Sequence, residues 1–216
     1  MHKRSAENSA LLFALADSRL PIGGHVHSGG VEEAVASGLV RDVATVELYL
    51  RRRVETSGLI AASLAAAVCA GALEPARAEL EADARTPSPA ARAASRAQGR
   101  GLLRLAKQLW PQADWTELGA RPHLSTVFGV VGAVCAVTPE EIAGVVVYTT
   151  LTGAATAAQR LLALDPAAIA ACTVRLAELC DATAAAAATE LAALSDPLQD
   201  VLAERHLHRD MPLFAS

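Results

Sequence analysis

Apolar positions recur at helical spacing almost from end to end of this chain, and prolines punctuate the recurrence more than any alternating, strand-like pattern does. Ser88-Pro89, Thr138-Pro139, Asp165-Pro166 and Asp196-Pro197 each set a capping side chain before a proline. Proline suits the first helical position because the N–H it lacks has no acceptor there. Thr138 also has Glu141 three residues on, which completes a capping box. The pattern predicts helices over residues 9–17, 29–38, 44–71, 74–84, 89–110, 122–136, 139–163, 166–194 and 197–207. β-Branched residues crowd 127–137 and 145–150, where a strand is locally plausible. The cap at Thr138 and the alanine-rich continuation through 154–158 decide for helix.

Composition narrows the architecture. Apolar residues make up 52% of the 216 but aromatic ones only 3%, so Leu, Val and Ala must build the core, which suits closely approaching helices. The expectation is an all-α fold, a single-domain multi-helix bundle over 1–216 with 1–8 and 208–216 as flexible tails. The uncharged run 142–159 has the length of a membrane span, but four threonines, two glycines and Gln159 dilute it. It reads as a buried central helix, so no membrane association is expected. A net charge of -4 and a pI near 5.9 argue against nucleic acid as a partner. Cys69, Cys135, Cys172 and Cys180 never form Cys-x-x-Cys and read as small hydrophobes of a reducing, cytoplasmic compartment. Lys3 and Arg4 before the apolar stretch 10–16 give only the outline of a signal peptide, too short and overlapping its own cleavage site.

The chemistry concentrates in one loop, Pro21-Ile22-Gly23-Gly24-His25-Val26-His27-Ser28-Gly29-Gly30, followed by Val31-Glu32-Glu33. Proline fixes φ and glycine permits positive φ, so the segment encodes a shaped turn between helices. It lacks the Lys-Ser/Thr of a phosphate-binding P-loop, and Val26 stands where a nucleophile elbow around Ser28 needs glycine. His25 and His27 are weak candidates for a shared metal with Glu32 or Glu33; one buried and one exposed histidine is the plainer reading. The alternative function is a nickel-binding protein that holds metal through the pairs His25-His27 and His206-His208. Arg92, Arg96, Arg100 and Arg104 recur every four residues as a basic stripe on one helix. Internal salt bridges, an acidic partner and nucleic acid compete to explain it, the last without stacking aromatics. Gly99 and Gly101 inside that helix imply close contact with another backbone. Carboxylates, histidines and nucleophiles form no catalytic set at interpretable spacing.

The residues carry a resemblance. Leu15-Ala16-Asp17-Ser18-Arg19-Leu20-Pro21-Ile22-Gly23-Gly24 followed by His27-Ser28-Gly29-Gly30-Val31-Glu32 resembles the N-terminal signature of the urease accessory protein family UreF. Ser95-Arg96-Ala97-Gln98-Gly99-Arg100-Gly101-Leu102-Leu103 is similar to its central run, and Leu213-Phe214-Ala215-Ser216 to its terminus. Position 25 is commonly aromatic in that family and is histidine here, so the resemblance lends no metal role to His25. It implies an all-helical, dimer-forming, non-enzymatic chaperone acting between the accessory protein UreD, called UreH in some systems, and the nickel-carrying GTPase UreG. Such a protein helps deliver nickel to apo-urease and controls nucleotide use by the GTPase. No tightly bound cofactor is implied, nickel being handled by the complex. The partner-binding or loop-shaping candidates are then Pro21, Gly23, Gly24, His27, Ser28, Gly30, Glu32, Arg92, Arg96, Gly99, Arg100, Leu213, Phe214 and Ser216. The terminal Leu-Phe pair either folds back onto its own domain or, as the resemblance favours, is mobile in the free protein and becomes ordered in a groove of the UreD-type partner.

Overall fold

The computed structural model describes residues 9–214, and of His25 the backbone alone. The helices run in the order α1 (Ser9–Ala16), α2 (Val31–Ala36), α3 (Val43–Arg53), α4 (Leu59–Cys69), α5 (Pro75–Arg85), α6 (Pro89–Leu109), α7 (Leu124–Val134), α8 (Pro139–Leu162), α9 (Pro166–Arg175), α10 (Ala177–Thr189) and α11 (Pro197–His206). A short 3₁₀ turn, Gly24–Val26, lies in the glycine loop. No strand occurs among the described residues, and the β-branched stretches over 127–150 fold as α7 and α8.

Every proline-marked start forms with its cap. Ser88 accepts from the Ala91 N–H, Thr138 from Glu141, Asp165 from Ala167 and Asp196 from Gln199. The Thr138–Glu141 capping box closes reciprocally.

Two long predicted helices are broken by tertiary bonds that no local signal announces. Over 44–71 the chain stays helical, but a π turn at Val54–Gly58 joins α3 to α4. There the Thr56 hydroxyl bonds to the Arg52 carbonyl at 2.8 Å and to Asp196 Oδ2 at 2.7 Å, with Ser57 Oγ on the same oxygen at 3.0 Å. Over 166–194 the helix is interrupted at Leu176 and ends at Thr189. Residues beyond it leave the helix to bond elsewhere: the Ala192 N–H donates to Ser63 Oγ at 3.1 Å and its carbonyl accepts from Arg85 at 2.6 Å. Leu191, Ala192 and Leu194 then pack with Ile60, Leu64 and Ala82 in a small cluster. Alanine favours helix but gains little there, so these bonds win.

α8 runs through the middle of the molecule and touches α1, α2, α3, α4, α7, α9 and α10. Its Ile142, Val147, Leu151 and Ala158 belong to one continuous core with Val31, Leu50, Leu102, Phe128 and Leu202. Aliphatic and alanine side chains fill most of that core, as the low aromatic content predicts. Within α8, Gly153 is exposed, and a Cβ built there would meet nothing within 4 Å. Gly153→Ala is therefore expected to raise stability by about 0.5–1 kcal/mol. A rise in the thermal midpoint checks it.

Candidate functional site: the glycine loop and its supports

The loop is shaped from beneath by buried polar groups. Gly23, Gly29 and Gly30 have φ of 81°, 58° and 82°, a region that side chains with a Cβ rarely enter. Gly24, named with them from sequence, instead begins the 3₁₀ turn. The Gly29 carbonyl accepts from Arg53 Nη1 and from the Tyr49 hydroxyl, the latter at 3.3 Å. Arg53 Nη1 also donates to Gln199 Oε1 at 2.6 Å. A Cβ on Gly30 would sit 2.7 Å from that Gln199 oxygen. Glycine at 29 and 30 therefore lets the backbone lie directly on α3 and α11.

The same support is anchored at the π turn. Asp196 caps α11, pairs with Arg52 and accepts from Thr56 and Ser57. Burial pushes its carboxyl up, but the bonds from Arg52, Thr56 and the Gln199 N–H outweigh it, and its pKa lies below the ordinary value. The widened turn thus aims two hydroxyls at one carboxylate, a use of π geometry often met at functional positions.

The other side of the loop rests on α6. A Cβ on Gly101 would lie 2.8 Å from the Ile22 carbonyl oxygen and 2.9 Å from its Cα. Two residues earlier, on roughly the opposite side of the helix, Gly99 faces the Pro122–Leu124 backbone at equally close range. The close approach inferred from these two glycines is real, and the loop and the 122–124 segment are what approach.

Ser95 and Arg96 hold that segment. Ser95 Oγ lies 3.0 Å from His123 Nδ1 and accepts from the Leu124 N–H at 3.2 Å. His123 Nε2 lies 2.9 Å from Asp83 Oδ1, and its N–H donates to Glu79 at 2.8 Å. Arg96 joins the set by donating to Asp83, Glu79 and the Arg121 carbonyl at 2.9, 2.9 and 2.7 Å. Burial lowers the pKa of His123, against the pull of Asp83. The neutral ring then donates from Nε2 to Asp83 and accepts the Ser95 hydroxyl at Nδ1. The order Ser–His–Asp is that of a hydrolytic triad, but Ser95 Oγ is held by a backbone N–H and its geometry is that of a structural tie. A depressed histidine pKa means the unfolded chain binds more protons, so stability should fall as pH drops below about 6.5. Denaturant midpoints from pH 8 to 5 should show this slope, reduced in His123→Gln.

The basic stripe divides. Arg92 Nη1 donates to the Thr86 and Pro87 carbonyls, and Arg92 lies 3.7 Å from Asp83. Arg92 and Arg96 thus take the internal reading. Arg100 and Arg104 are exposed, with no ion pair among the described residues.

The tail differs from the loose end expected over 208–216. Glu32, buried at the start of α2, accepts from His206 Nε2 at 2.8 Å and from the Leu213 and Phe214 N–H groups at 2.8 and 3.1 Å. Phe214 is 7% exposed, and the Arg160 guanidinium lies 5.1 Å from its ring centroid, whereas Leu213 is 79% exposed. A buried carboxylate that needs donors explains the correction: the tail backbone supplies two of them. Ser28 is buried, with its hydroxyl 3.4 Å from the Glu32 N–H, while His27 and Pro21 lie nearer the surface. The His25 side chain and Ser216 lie outside the described residues. Among those described, no three His, Cys, Asp or Glu are placed to hold a metal ion.

Beneath the loop lies a cavity of about 390 Å³ between α1, α4, α6, α7 and α8. Sequence reasoning missed Arg53, His123, Asp83, Asp196 and Gln199. The Asp196-Pro197 cap was visible, but its second role was not.

These features define an all-helical scaffold that presents a glycine-shaped loop held by buried polar residues. The UreF family model matches residues 40–177. The chain is 68% identical over 205 residues to urease accessory protein UreF of Mycobacterium sp. (strain JLS), covering 95% of this chain and 97% of the relative. It is 65% identical over 210 residues to that of Mycolicibacterium vanbaalenii, covering 96% and 98%. For Mycobacterium tuberculosis (strain CDC 1551 / Oshkosh) it is 58% over 207 residues, again covering 96% and 98%. The chain belongs to the UreF family of urease accessory proteins.

Proposed function

We propose that the chain is a non-enzymatic chaperone of nickel-dependent urease maturation in the cytoplasm. It bridges a UreD/UreH-type protein and the UreG GTPase, acts on apo-urease as a dimer, and controls nucleotide use by the GTPase. It holds no cofactor of its own, and nickel passes through the complex. The observation that carries this reading is identity along almost the whole chain to proteins named urease accessory protein UreF. A loop built for shape, with its polar groups turned inward on Arg53 and Gln199, suits recognition by a protein surface.

Gly23→Val tests it, because Gly23 has positive φ while a Cβ there meets nothing within 4 Å. The variant should stay folded, with a midpoint lowered only by the local strain of valine at positive φ and not by a clash, yet capture less UreG or UreD-type partner in pull-downs. Arg100→Glu with Arg104→Glu should weaken capture most at low salt. Failure of the wild-type chain to form a complex with either partner overturns the proposal. Equal capture by all variants removes the loop and stripe from it.

A further inference from the structure

The cavity beneath the loop ends on a guanidinium that no carboxylate answers. Arg53 is 9% exposed and donates through Nη1 to the Gly29 carbonyl and the Gln199 amide oxygen, both neutral, with the neutral Tyr49 hydroxyl beside it. Its Nε is buried without a hydrogen-bond partner. The neighbouring charges are already engaged. Asp196 is paired with Arg52 and accepts from Thr56, Ser57 and the Gln199 N–H. Asp200 accepts from the Ser88 N–H, Asp17 pairs with Arg19, and Arg85 with Glu81. A buried cation left without a counter-charge is costly, and an anion that also satisfies its N–H groups offsets that cost.

The rest of the cavity says what such an anion must carry. Ser57, Ile60, Ala61 and Leu64 follow Arg53 along the wall formed by the π turn and α4, roughly 16 Å of helix at 1.5 Å per residue. Leu15, Ile22, Phe128 and Val146 line the other sides. Thr149, Thr150, Thr152 and Thr156 of α8, with Arg85 and Arg160, make other parts of the lining polar. The path that leads from Arg53 along α4 is the apolar one and suits a small amphiphile, and about 390 Å³ lies within the usual range for small-molecule sites. The planar fork of arginine matches a carboxylate better than any neutral head group.

We propose that this cavity binds an unbranched aliphatic monocarboxylate, its carboxylate on Arg53 and its chain along Ile60, Ala61 and Leu64. Because Arg53 also holds the Gly29 carbonyl, occupancy would be felt in the loop. The proposal is independent of urease maturation and is tested on the chain alone.

Calorimetric titration of the full chain should compare octanoate with octanol, which lacks the charge, and acetate, which lacks the chain. Octanoate should saturate and bind roughly tenfold or more tightly than octanol, as a charge-assisted contact predicts. Acetate should not saturate. Arg53→Met should erase the preference for octanoate, and Ala61→Phe, which fills the channel and leaves Arg53 in place, should abolish both ligands. In the wild-type chain the Arg53 Nε–H resonance should move with octanoate and not with octanol, a readout that holds even if a variant fails to fold. The proposal is overturned if octanoate does not saturate, if octanol binds as tightly, or if that resonance ignores octanoate.

Discussion

Alanine at Gly99 is expected to lower the free energy of unfolding by about 3 kcal/mol, even though it removes a glycine from the middle of a helix. Its Cβ would press into the Pro122 carbonyl oxygen and lie 2.9 Å from the His123 carbonyl carbon and 3.0 Å from the Leu124 nitrogen. All three are backbone atoms and have no rotamer to escape into. The segment cannot withdraw either, because the His123 N–H is on Glu79 and the Leu124 N–H on Ser95. Alanine gains about 1 kcal/mol in helix propensity, too little to offset that crowding. Urea unfolding measures the difference, and a midpoint equal to wild type would refute the close packing. Opposite signs for Gly99→Ala and Gly153→Ala, on helices of the same protein, separate crowding from propensity.

The second large effect is expected at Glu32. Glu32→Gln keeps the shape but replaces one acceptor oxygen by a donor among His206 and two backbone N–H groups. A loss of about 2–4 kcal/mol is expected, with residues 207–214 exchanging amide hydrogens faster. Burial raises the Glu32 carboxyl, but the bonds from His206, Leu213 and Phe214 prevail and hold its pKa below 4.5. With the folded value depressed, its contribution is complete above the ordinary carboxylate range and disappears as pH falls through the folded value. The variant and wild type should therefore converge in acid, and an undiminished gap at pH 2 would refute the assignment. Deleting residues 212–216 removes Phe214 from the core and should also lower the melting temperature, where a loose tail would leave it unchanged.

Much of this was legible in the chain. Prolines after Ser88, Thr138, Asp165 and Asp196 located four helices because a cap and a missing N–H act locally, within one turn. Gly99 and Gly101 announced close packing because glycine inside a helix has a cost that only a tertiary contact repays. What stayed hidden depends on distance. Nothing near Arg53 foretells Gln199, 146 residues away, and nothing near Glu32 foretells His206, 174 residues away. The π turn was likewise invisible, since Thr56 and Ser57 leave ordinary helix for an aspartate that sequence places far off. In the Leu-Phe tail the fold-back alternative holds for Phe214 and not for Leu213, and the buried carboxylate of Glu32 that draws the tail backbone in could not be foreseen.

α11 closes the molecule on its own beginning. Asp196, Gln199, Glu204 and His206 reach back to Arg52, Arg53, Ser88 and Glu32. During synthesis, then, the glycine loop emerges long before the residues that fix its support, since domains gain long-range contacts only when the later segment is available. Recognition through that loop would report on chain completion: a ribosome-bound or prematurely stopped molecule carries the loop residues without α11 beneath them, and a partner that reads the finished shape would pass it over.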